Sequence, residues 1–413
     1  MSSFTFVHAA DLHLDTPFKG VSRIAPRMAE ALRDASLEAW DALVALCLRE
    51  QAAFLLLAGD LHDGHMRGLR AHARLRSGLD QLVREGCQVF IVRGNHDARD
   101  EVEDRLPLPE GVHVFPAGDP TAVAVRQGTR ILATVHGVSH GGPAEHANLA
   151  VRFPRPVGPG PHLALLHANL GREAEHAPYA PCSTWDLAMS GHDYWALGHI
   201  HRRQVRREGR AWLVYPGNLQ GRSPKPSECG PKGAMVCRVR EGIIAEPEFV
   251  ALDRWRFVSE RLVLPPDADL AAVQRLLGEA AEAAIAQSEG RGLLLRLALE
   301  GAAAVARELL RPGLAASLRQ VLDDQTPENV LVLPLVLDVR MPRPVGDVDT
   351  RVGPAGALRG WSSTMAYDAR IQWLQAALAG VRDPGAFEGE GDTSLWDEAE
   401  ALALAMLAGA GET

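Results

Sequence analysis

The chain has 413 residues, of which 46% are hydrophobic, and a formal net charge of -9. This length and apolar content allow a large core and predict two or three compact units rather than one. No apolar run approaches the roughly 20 residues that span a bilayer, and the N-terminal residues lack signal-peptide character. The five cysteines form no C-x-x-C pair, which argues against a disulfide framework or a zinc knuckle. We therefore expect a cytoplasmic protein without a membrane association.

The negative charge is unevenly distributed along the chain. Residues 1–250 hold 28 basic and 28 acidic side chains, whereas the remainder holds 15 and 24. Residues 201–240 carry ten basic side chains and only two acidic ones, Glu208 and Glu228. We therefore predict a local basic surface on an acidic protein. All 16 histidines lie in the first 201 residues, so chemistry that uses histidine is confined to the first half.

Residues 1–250 alternate short apolar runs with longer amphipathic stretches, a pattern typical of an α/β fold. The apolar runs predict buried strands at 4–10, 53–59, 87–94, 162–168 and 193–199. Helix-like stretches separate the first three of these strands, at 26–51 and 66–85. The pattern becomes hairpin-like at about 120–136, with a turn at Gly128, and again at 204–250.

After residue 250 the pattern changes to a β-α-β-α-β unit of about 90 residues. It predicts a strand at 254–264, a helix at 267–288, a strand at 293–301, a helix over about 302–322 and a strand at 329–339. The predicted domains are 1–250, a small α+β domain at 251–340, and a linker with a helical tail at 341–413. Two amphipathic stripes mark the tail: Tyr367, Ile371, Leu374 and Leu378, then Leu395, Ala399, Leu402 and Met406.

The predicted strands of the first half end in polar residues of one kind. These residues are Asp11 and His13, then Asp60, His62 and Asp63, then Asn95, His96 and Asp97, and later His167, His199 and His201. Because ligands collect at the carboxyl ends of strands in an open α/β sheet, we expect these side chains to converge. Oxygen and nitrogen ligands without a thiolate favour Mn²⁺, Fe or Zn. Such a set suits two divalent ions about 3.5–4 Å apart, as used in phosphoester hydrolysis.

Each motif alone also has a purely structural interpretation. An Asp-x-His or Asn-His-Asp sequence after a strand is commonly a turn, and His167 within an apolar run resembles a hydrogen-bonded core histidine. The order of the motifs, each after an apolar run, favours the metal site. Among the other histidines, we expect His8 within a strand and leave His136 undecided. The rest are expected at the surface or in loops: His65, His72, His113, His140, His146, His176 and His192.

In this order, D-x-H, G-D, G-N-H-D, H and G-H-x-H resemble the calcineurin-like metallophosphoesterases. Longer stretches are similar to the DNA repair exonuclease family of the SbcCD nuclease subunit, in its YhaO-like branch: AADLHLDTPFKG, LLHANLG, YWALGHIHRRQV and YPGNLQGR…GPKGA. The resemblance covers about 1–340. It implies an α/β fold, a double β-sheet sandwich flanked by helices, with a small α+β capping domain that binds DNA and a helical C-terminal tail.

The resemblance also assigns roles to individual residues. One metal ion is expected to be held by Asp11, His13, Asp60 and His201. The other is expected to be held by Asp60, Asn95, His167 and His199, with Asp60 as the bridge. His96 matches the catalytic histidine, and Asp97 is expected to orient its ring. His62 replaces a residue that is usually aromatic or aliphatic, and the loop 221–233 looks longer than its counterpart, so both roles stay open.

Basic residues after the last histidine pair are candidates for contacts with DNA phosphates. They are Arg202, Arg203, Arg206, Arg207, Arg222 and Lys232. In an extended hairpin, alternation puts only about half of neighbouring side chains on one face. A solvated turn is the alternative interpretation of this segment.

We therefore predict a Mn-dependent phosphodiesterase that digests DNA as an exonuclease and endonuclease. Its expected partner is an SbcC-like coiled-coil ATPase docked on the tail, and a homodimer is compatible with this function. The alternatives are a small-molecule or nucleotide phosphodiesterase with the same metal site and, third, a non-catalytic scaffold. The tail stripes have their own alternative, which is packing on the catalytic domain.

Overall fold

The computed structural model describes residues 3–16, 18, 28–63, 69–98, 107–171 and 177–341. Within these ranges, no helix has the length and apolarity needed to cross a membrane. The predicted tail lies outside the described residues, except for residue 341.

The strands are β1 Phe4–Ala9, β2 Phe54–Ala58, β3 Gln88–Val92, β4 Val112–Val114, β5 Thr121–Gln127, β6 Arg130–Val138, β7 His162–His167, β8 Tyr194–Gly198, β9 Gln204–Glu208, β10 Ala211–Tyr215, β11 Gly233–Arg240, β12 Ile243–Ile244, β13 Glu248–Ala251, β14 Trp255–Val263, β15 Gly292–Ala302, β16 Val330–Val332 and β17 Val336–Arg340. The helices are α1 Ala29–Arg49, α2 Leu69–Arg84, α3 Thr184–Met189, α4 Leu270–Gln287, α5 Ala306–Leu309 and α6 Leu314–Gln325. The five strands and two helices predicted in the first half are confirmed. The hairpin of β5 and β6 is also confirmed, with Gly128 at φ +61° in its turn.

Two large sheets make up most of the described structure. The first has the order β12-β11-β1-β2-β3-β4, with β13 paired to β11, and the second has the order β5-β6-β7-β8-β10-β9. Strands β1, β2 and β3 are parallel, as are β6, β7, β8 and β10. The carboxyl ends of the predicted strands therefore lie together at one edge of each sheet.

Apolar side chains pack on both faces of these sheets. Phe6, Phe54 and Tyr194 are fully buried in a core that includes residues of both sheets. Trp40 of α1 and Leu79 of α2 are buried with the opposite side chains of β1, β2 and β3. A third cluster lines the second sheet around Trp195 of β8. Strands buried on both faces explain the near-continuous apolar runs in the sequence.

The described residues form two compact units. One contains the described residues up to Ser259 with Glu282–Arg296 and Thr326–Leu333, and the other contains Glu260–Ala281, Leu297–Gln325 and 334–341. The predicted domain boundaries at 250/251 and 340/341 stay predictions.

Two elements predicted after residue 250 are divided in the structure. The helix predicted over about 302–322 is two helices, α5 and α6, which Pro312 and Gly313 (φ +88°) separate. The strand predicted at 329–339 is also two, β16 and β17, with Pro334 between them. Proline has no N–H to donate to a strand ladder, so it interrupts the pairing with β15.

Gly198, the last residue of β8, lies where the two sheets approach most closely at their carboxyl ends. A Cβ at this position would lie 1.8 Å from the carbonyl oxygen of Ala58 and 2.8 Å from His167 Nδ1. We predict that Gly198→Ala lowers the free energy of unfolding by about 1–3 kcal/mol or more, measured by urea denaturation. Gly278→Ala is the control, because its Cβ meets nothing within 4 Å and α4 gains up to about 1 kcal/mol from alanine. Equal effects of the two substitutions would contradict the prediction.

Candidate metal centre

The loops after β1 and β2 are held together by backbone hydrogen bonds. Asp11 N donates to Gly59 O, and His13 N donates to Asp60 O, both at 3.0 Å. His199 N, just after β8, donates to both carboxylate oxygens of Asp11 at 3.1 Å. Residues from three strand ends of the two sheets are therefore fixed at one place, as the sequence predicts.

The backbone at these strand ends is strained. Asp11, His13 and Asp60 have φ angles of +52°, +42° and +52°, and His199 has +97°. A non-glycine residue in this region costs on the order of 1–3 kcal/mol, so it persists where the surrounding structure requires it. Here the unusual backbone turns the four side chains toward a common point.

His13 and His201 face each other through the same ring atom. Their Nε2 atoms lie 3.3 Å apart. His13 Nδ1 lies 2.5 Å from Asp63 Oδ1, and His201 Nδ1 lies 2.7 Å from Glu228 Oε1. Because a charged carboxylate accepts a hydrogen bond, each Nδ1 is assigned the proton and each Nε2 a lone pair. Two lone pairs that face each other need a cation between them, so the donor set fits a metal ion.

The other predicted ligands lie on the opposite side of Asp60. His167 Nε2 is 3.1 Å from Asn95 Oδ1 and 3.4 Å from Asp60 Oδ2. His167 Nδ1 donates to Ala58 O at 2.8 Å, which directs its Nε2 toward these oxygens. The ring of His199 lies 5.2 Å from that of His167, and its Nε2 donates to Ala177 O at 2.8 Å. This hydrogen bond assigns the lone pair of His199 to Nδ1.

Asp60 lies between the two groups of ligands. Its Oδ2 is 3.4 Å from His167 Nε2 and 4.0 Å from His13 Nε2. The candidate ligands include two sets of three residues, and within each set the ligand atoms lie within 4.8 Å of one another. One set is Asp11, His13 and His201, and the other is Asp11, Asp60 and His167. This placement suits the predicted bridge. The structure thus brings all seven predicted ligands together as candidate residues for a dinuclear site, and their individual roles stay predictions.

The buried carboxylates at the centre require a positive charge nearby. Burial raises the pKa of Asp11 to about 8, with the nearby Asp60 carboxylate adding to the rise. Burial also acts to raise the pKa of Asp60, but the charge of His167 and its hydrogen bond hold that pKa well below the usual range. Burial lowers the pKa of His167, and the Asp60 carboxylate overcomes this and raises it to about 9. Without a metal, protons supply the positive charge that the buried carboxylates need.

His96, the predicted catalytic histidine, lies partly exposed beside the candidate ligands. Its side chain is 45% exposed, and its ring lies 5.2 Å from that of His13. Its Nδ1 lies 3.2 Å from Asp63 Oδ1, the same oxygen that holds His13. Asp97 is buried and accepts hydrogen bonds from the backbone N–H groups of Gly94 and Leu61, at 2.6 and 2.8 Å. Orientation of His96 by Asp97 stays a prediction, whereas Asp63 has a contact that positions the ring.

Arg222 and Lys232 are less exposed than a residue that contacts DNA is expected to be. Lys232 is 4% exposed, and its Nζ donates to the carbonyl oxygens of His201 and Ser227 at 2.7 and 2.5 Å. Burial lowers its pKa to about 8. So enclosed an ammonium group cannot meet a DNA phosphate, and the prediction for Lys232 is corrected to support of the His201 backbone. Arg222 is 20% exposed and donates to Asp63 Oδ2 at 2.8 Å.

The remaining predicted DNA contacts are exposed: Arg202 and Arg203 precede β9, the edge strand of the second sheet, and Arg206 and Arg207 lie on it. Arg207 stacks on Trp212, 4.8 Å from the ring centre, and Arg203 stacks on Phe249 at 4.1 Å. Arg206 pairs with Leu213 and therefore points to the opposite face. Strand alternation thus separates Arg206 from Arg207, and contact of the cluster with DNA stays a prediction.

Two site residues escaped the sequence analysis, Asp63 as a partner of histidine rings and Glu228. The sequence did contain a signal for Glu228, because it is one of only two acidic residues in the basic segment 201–240. His140 is a further case, because it is 1% exposed and its Nε2 donates to His167 O at 2.6 Å. His72 is also buried and lies in α2, so its expected place at the surface or in a loop is wrong, whereas the buried His140 and His192 do lie in loops. His62 is 2% exposed, with its ring 6.2 Å from that of His72.

Comparison with known proteins agrees with this geometry. A family model described as calcineurin-like phosphoesterase matches residues 4–203. Over 245 residues the chain is 36% identical to the uncharacterized metallophosphoesterase YhaO of Bacillus subtilis, with coverage of 59% of this chain and 60% of the relative. Over 230 residues it is 28% identical to the DNA double-strand break repair protein Mre11 of Aeropyrum pernix, with coverage of 52% and 53%. The chain thus matches somewhat more than half the length of these relatives.

Among solved structures, a dimetal phosphatase from Danio rerio is similar with a TM-score of 0.38 and 14% identity, over 60% of this chain and 97% of that one. A similarity of this size carries no argument about function. The family match itself spans the strands and loops that carry all seven candidate ligands. Both large sheets, flanked by helices, agree with the fold that the sequence motifs imply. Over residues 4–203, the chain is therefore similar to the calcineurin-like phosphoesterases.

Proposed function

We propose that this protein is a two-metal phosphodiesterase that hydrolyses DNA with Mn²⁺. The observation that carries the hydrolytic part is the pair of histidine lone pairs, His13 Nε2 and His201 Nε2, held 3.3 Å apart beside a shared carboxylate. This donor set fits divalent ions and not a structural role for the histidines. One ion would be held by Asp11, His13, Asp60 and His201, and the other by Asp60, Asn95, His167 and His199.

The bound ions would lower the pKa of a water molecule and offset negative charge on the phosphoryl oxygens. The chain supplies the proton for the leaving oxygen from His96, whose exposed ring is next to that of His13. His96 Nδ1 lies 3.2 Å from Asp63 Oδ1, so in its imidazolium form the ring can donate the Nε2 proton to the leaving oxygen while Nδ1 keeps its own proton. The strained loops keep these groups in place before the substrate arrives.

Two observations favour DNA over a small substrate. The Aeropyrum relative is a DNA double-strand break repair protein, and four exposed arginines follow the ligand pair His199 and His201 directly in the chain. In an extended strand, each residue advances about 3.3 Å, so these arginines extend away from the metal centre over a distance of several nucleotides. A nuclease subunit of an SbcCD-like repair complex accounts for this arrangement. A nucleotide phosphodiesterase with the same centre is the alternative.

We predict that the purified protein with Mn²⁺ degrades linear and plasmid DNA much faster than it cleaves a cyclic dinucleotide. The reason is that the exposed arginines contact a polymer backbone that a small substrate lacks. Gel analysis of the DNA and chromatography of the dinucleotide measure the two rates at equal phosphodiester concentrations. Preferential cleavage of the dinucleotide would establish the alternative.

Two variants separate metal binding from hydrolysis in this experiment. Asp60→Ala removes the carboxylate between the two halves of the site and is expected to lose metal and activity together. His96→Ala is expected to retain both ions and lose hydrolysis, because its ring serves the substrate. Calorimetric titration with Mn²⁺ measures the occupancy. A His96 variant that binds no metal would contradict this division of roles.

The arginine cluster generates a separate prediction. Replacing Arg202, Arg203, Arg206 and Arg207 with Gln should weaken DNA binding and reduce its salt dependence, by about 0.9 in log–log slope for each lost phosphate contact on duplex DNA. Because Arg203 and Arg207 each stack on an aromatic ring, replacing this pair should change the salt dependence by a different amount from replacing Arg202 and Arg206. Fluorescence anisotropy at several salt concentrations measures the slopes.

Arg210→Gln is the matched control, since Arg210 is an exposed arginine of the same segment that is paired with Asp193. It should leave the salt slope unchanged. Hydrolysis of a small chromogenic phosphodiester should change little in all of these variants. Equal losses on the small substrate and on DNA would show that the arginines support the fold or the centre.

We further propose that the tail docks an SbcC-like coiled-coil ATPase, an inference that rests on the sequence alone. Its two apolar stripes are typical of helices that bind in a groove. Deletion of 357–413 should therefore leave a folded Mn²⁺-binding protein that no longer co-purifies with the ATPase. An insoluble truncated protein, or one with unchanged ATPase affinity, would refute docking through the tail.

A further inference from the structure

Arg222 joins two carboxylates that belong to different parts of the chain. Its Nη1 donates to Asp63 Oδ2 at 2.8 Å, and its backbone N donates to Glu228 Oε2 at 3.0 Å. Its Nη2 lies 4.0 Å from Glu228 Oε1. Asp63 follows β2 in the first sheet, and Glu228 lies between β10 and β11. One arginine side chain and its own backbone therefore link residues 165 positions apart in the sequence.

These two carboxylates hold the rings whose lone pairs face each other. Asp63 Oδ1 is 2.5 Å from His13 Nδ1, and Glu228 Oε1 is 2.7 Å from His201 Nδ1. The chain of contacts therefore runs from one candidate ligand through Arg222 to the other. Thr16 Oγ1 and Asn218 Nδ2 donate to the remaining oxygens of the two carboxylates, which fixes their orientation.

The surroundings of Arg222 argue against a phosphate contact. Its side chain is 20% exposed, and its Nε is buried without a hydrogen-bond partner among the described residues. An arginine that binds phosphate usually presents two N–H groups of one edge to the solvent side. Here one terminal nitrogen already donates to Asp63, and the guanidinium charge offsets the partly buried carboxylate of Asp63 and the buried one of Glu228.

We propose that Arg222 is a positioning residue for one half of the metal centre. It connects Asp63 with Glu228 and so keeps the rings of His13 and His201 at the correct angle and in the correct tautomer. The other half does not depend on it, because backbone carbonyls orient His167 and His199. This proposal rests on the metal-binding part of the proposed function and not on the DNA substrate.

Calorimetric Mn²⁺ titration of Arg222→Gln tests the proposal. We expect the affinity of one of the two sites to fall roughly 10–100-fold, the usual effect of losing a partner of metal ligands, while the other site is unchanged. At saturating Mn²⁺, the KM for a chromogenic phosphodiester should equal that of the wild-type protein. Arg74→Gln is the matched control, because Arg74 is an exposed arginine paired with one carboxylate, Asp41, on α1.

Unchanged Mn²⁺ affinity with a raised KM would overturn the proposal, since Arg222 would then contact substrate. Glu228→Gln provides a second route if Arg222→Gln fails to fold, and it should weaken the same site. In the double variant, the loss should be smaller than the product of the two single losses, because both act through one network. Fully independent losses would overturn the link. If the wild-type protein cleaves no phosphodiester, the proposed function fails, whereas the titrations still decide the role of Arg222.

Discussion

Two imidazole nitrogens with lone pairs, 3.3 Å apart in a buried site, are the constraint on which the rest of the centre depends. Such an arrangement is repulsive unless a cation or a proton lies between the rings. The fold nevertheless holds it, with a carboxylate behind each ring and two sheets that meet at the strand ends. The strained backbone of Asp11, His13 and Asp60 is part of the same requirement, because ordinary turns would direct these side chains elsewhere.

The free energy that this arrangement costs is offset by packing away from the centre. Parallel strands that are buried on both faces have little conformational freedom at their carboxyl ends. The loops that follow these strands are therefore held in fixed positions. Gly198 shows how closely the sheets approach, since even a methyl group would overlap the carbonyl of Ala58. The same rigidity keeps the ligands preorganised, which reduces the reorganisation that metal binding requires.

Different chemical groups orient the histidine rings in the two halves of the centre. Charged side chains orient His13 and His201, whereas backbone carbonyls orient His167 and His199. A carboxylate behind an imidazole increases the basicity of its ligand nitrogen more than a neutral carbonyl does. The half that contains His13 also shares Asp63 with His96, so a single carboxylate serves both a candidate ligand and the candidate acid. Under the proposed function, metal binding and proton donation would be connected through this one side chain.

The sequence by itself determined the sheet-forming segments and the candidate ligands, because apolar runs record burial and the polar residues directly after them record the strand ends. Asp11, Asp60, Asn95 and the histidines could therefore be chosen without coordinates. Only the tertiary structure decided the partners of these residues. Asp63 is far along the chain from Arg222 and Glu228, so the contacts of Arg222 with these carboxylates depend on how distant loops pack. The same is true of the contacts of Asp63 with His13 and of Glu228 with His201. The same holds for Lys232, whose charge suggested a surface but whose contacts bury it. The breaks at Gly313 and Pro334 differ, because the residues that cause them are visible in the sequence and act through local backbone chemistry.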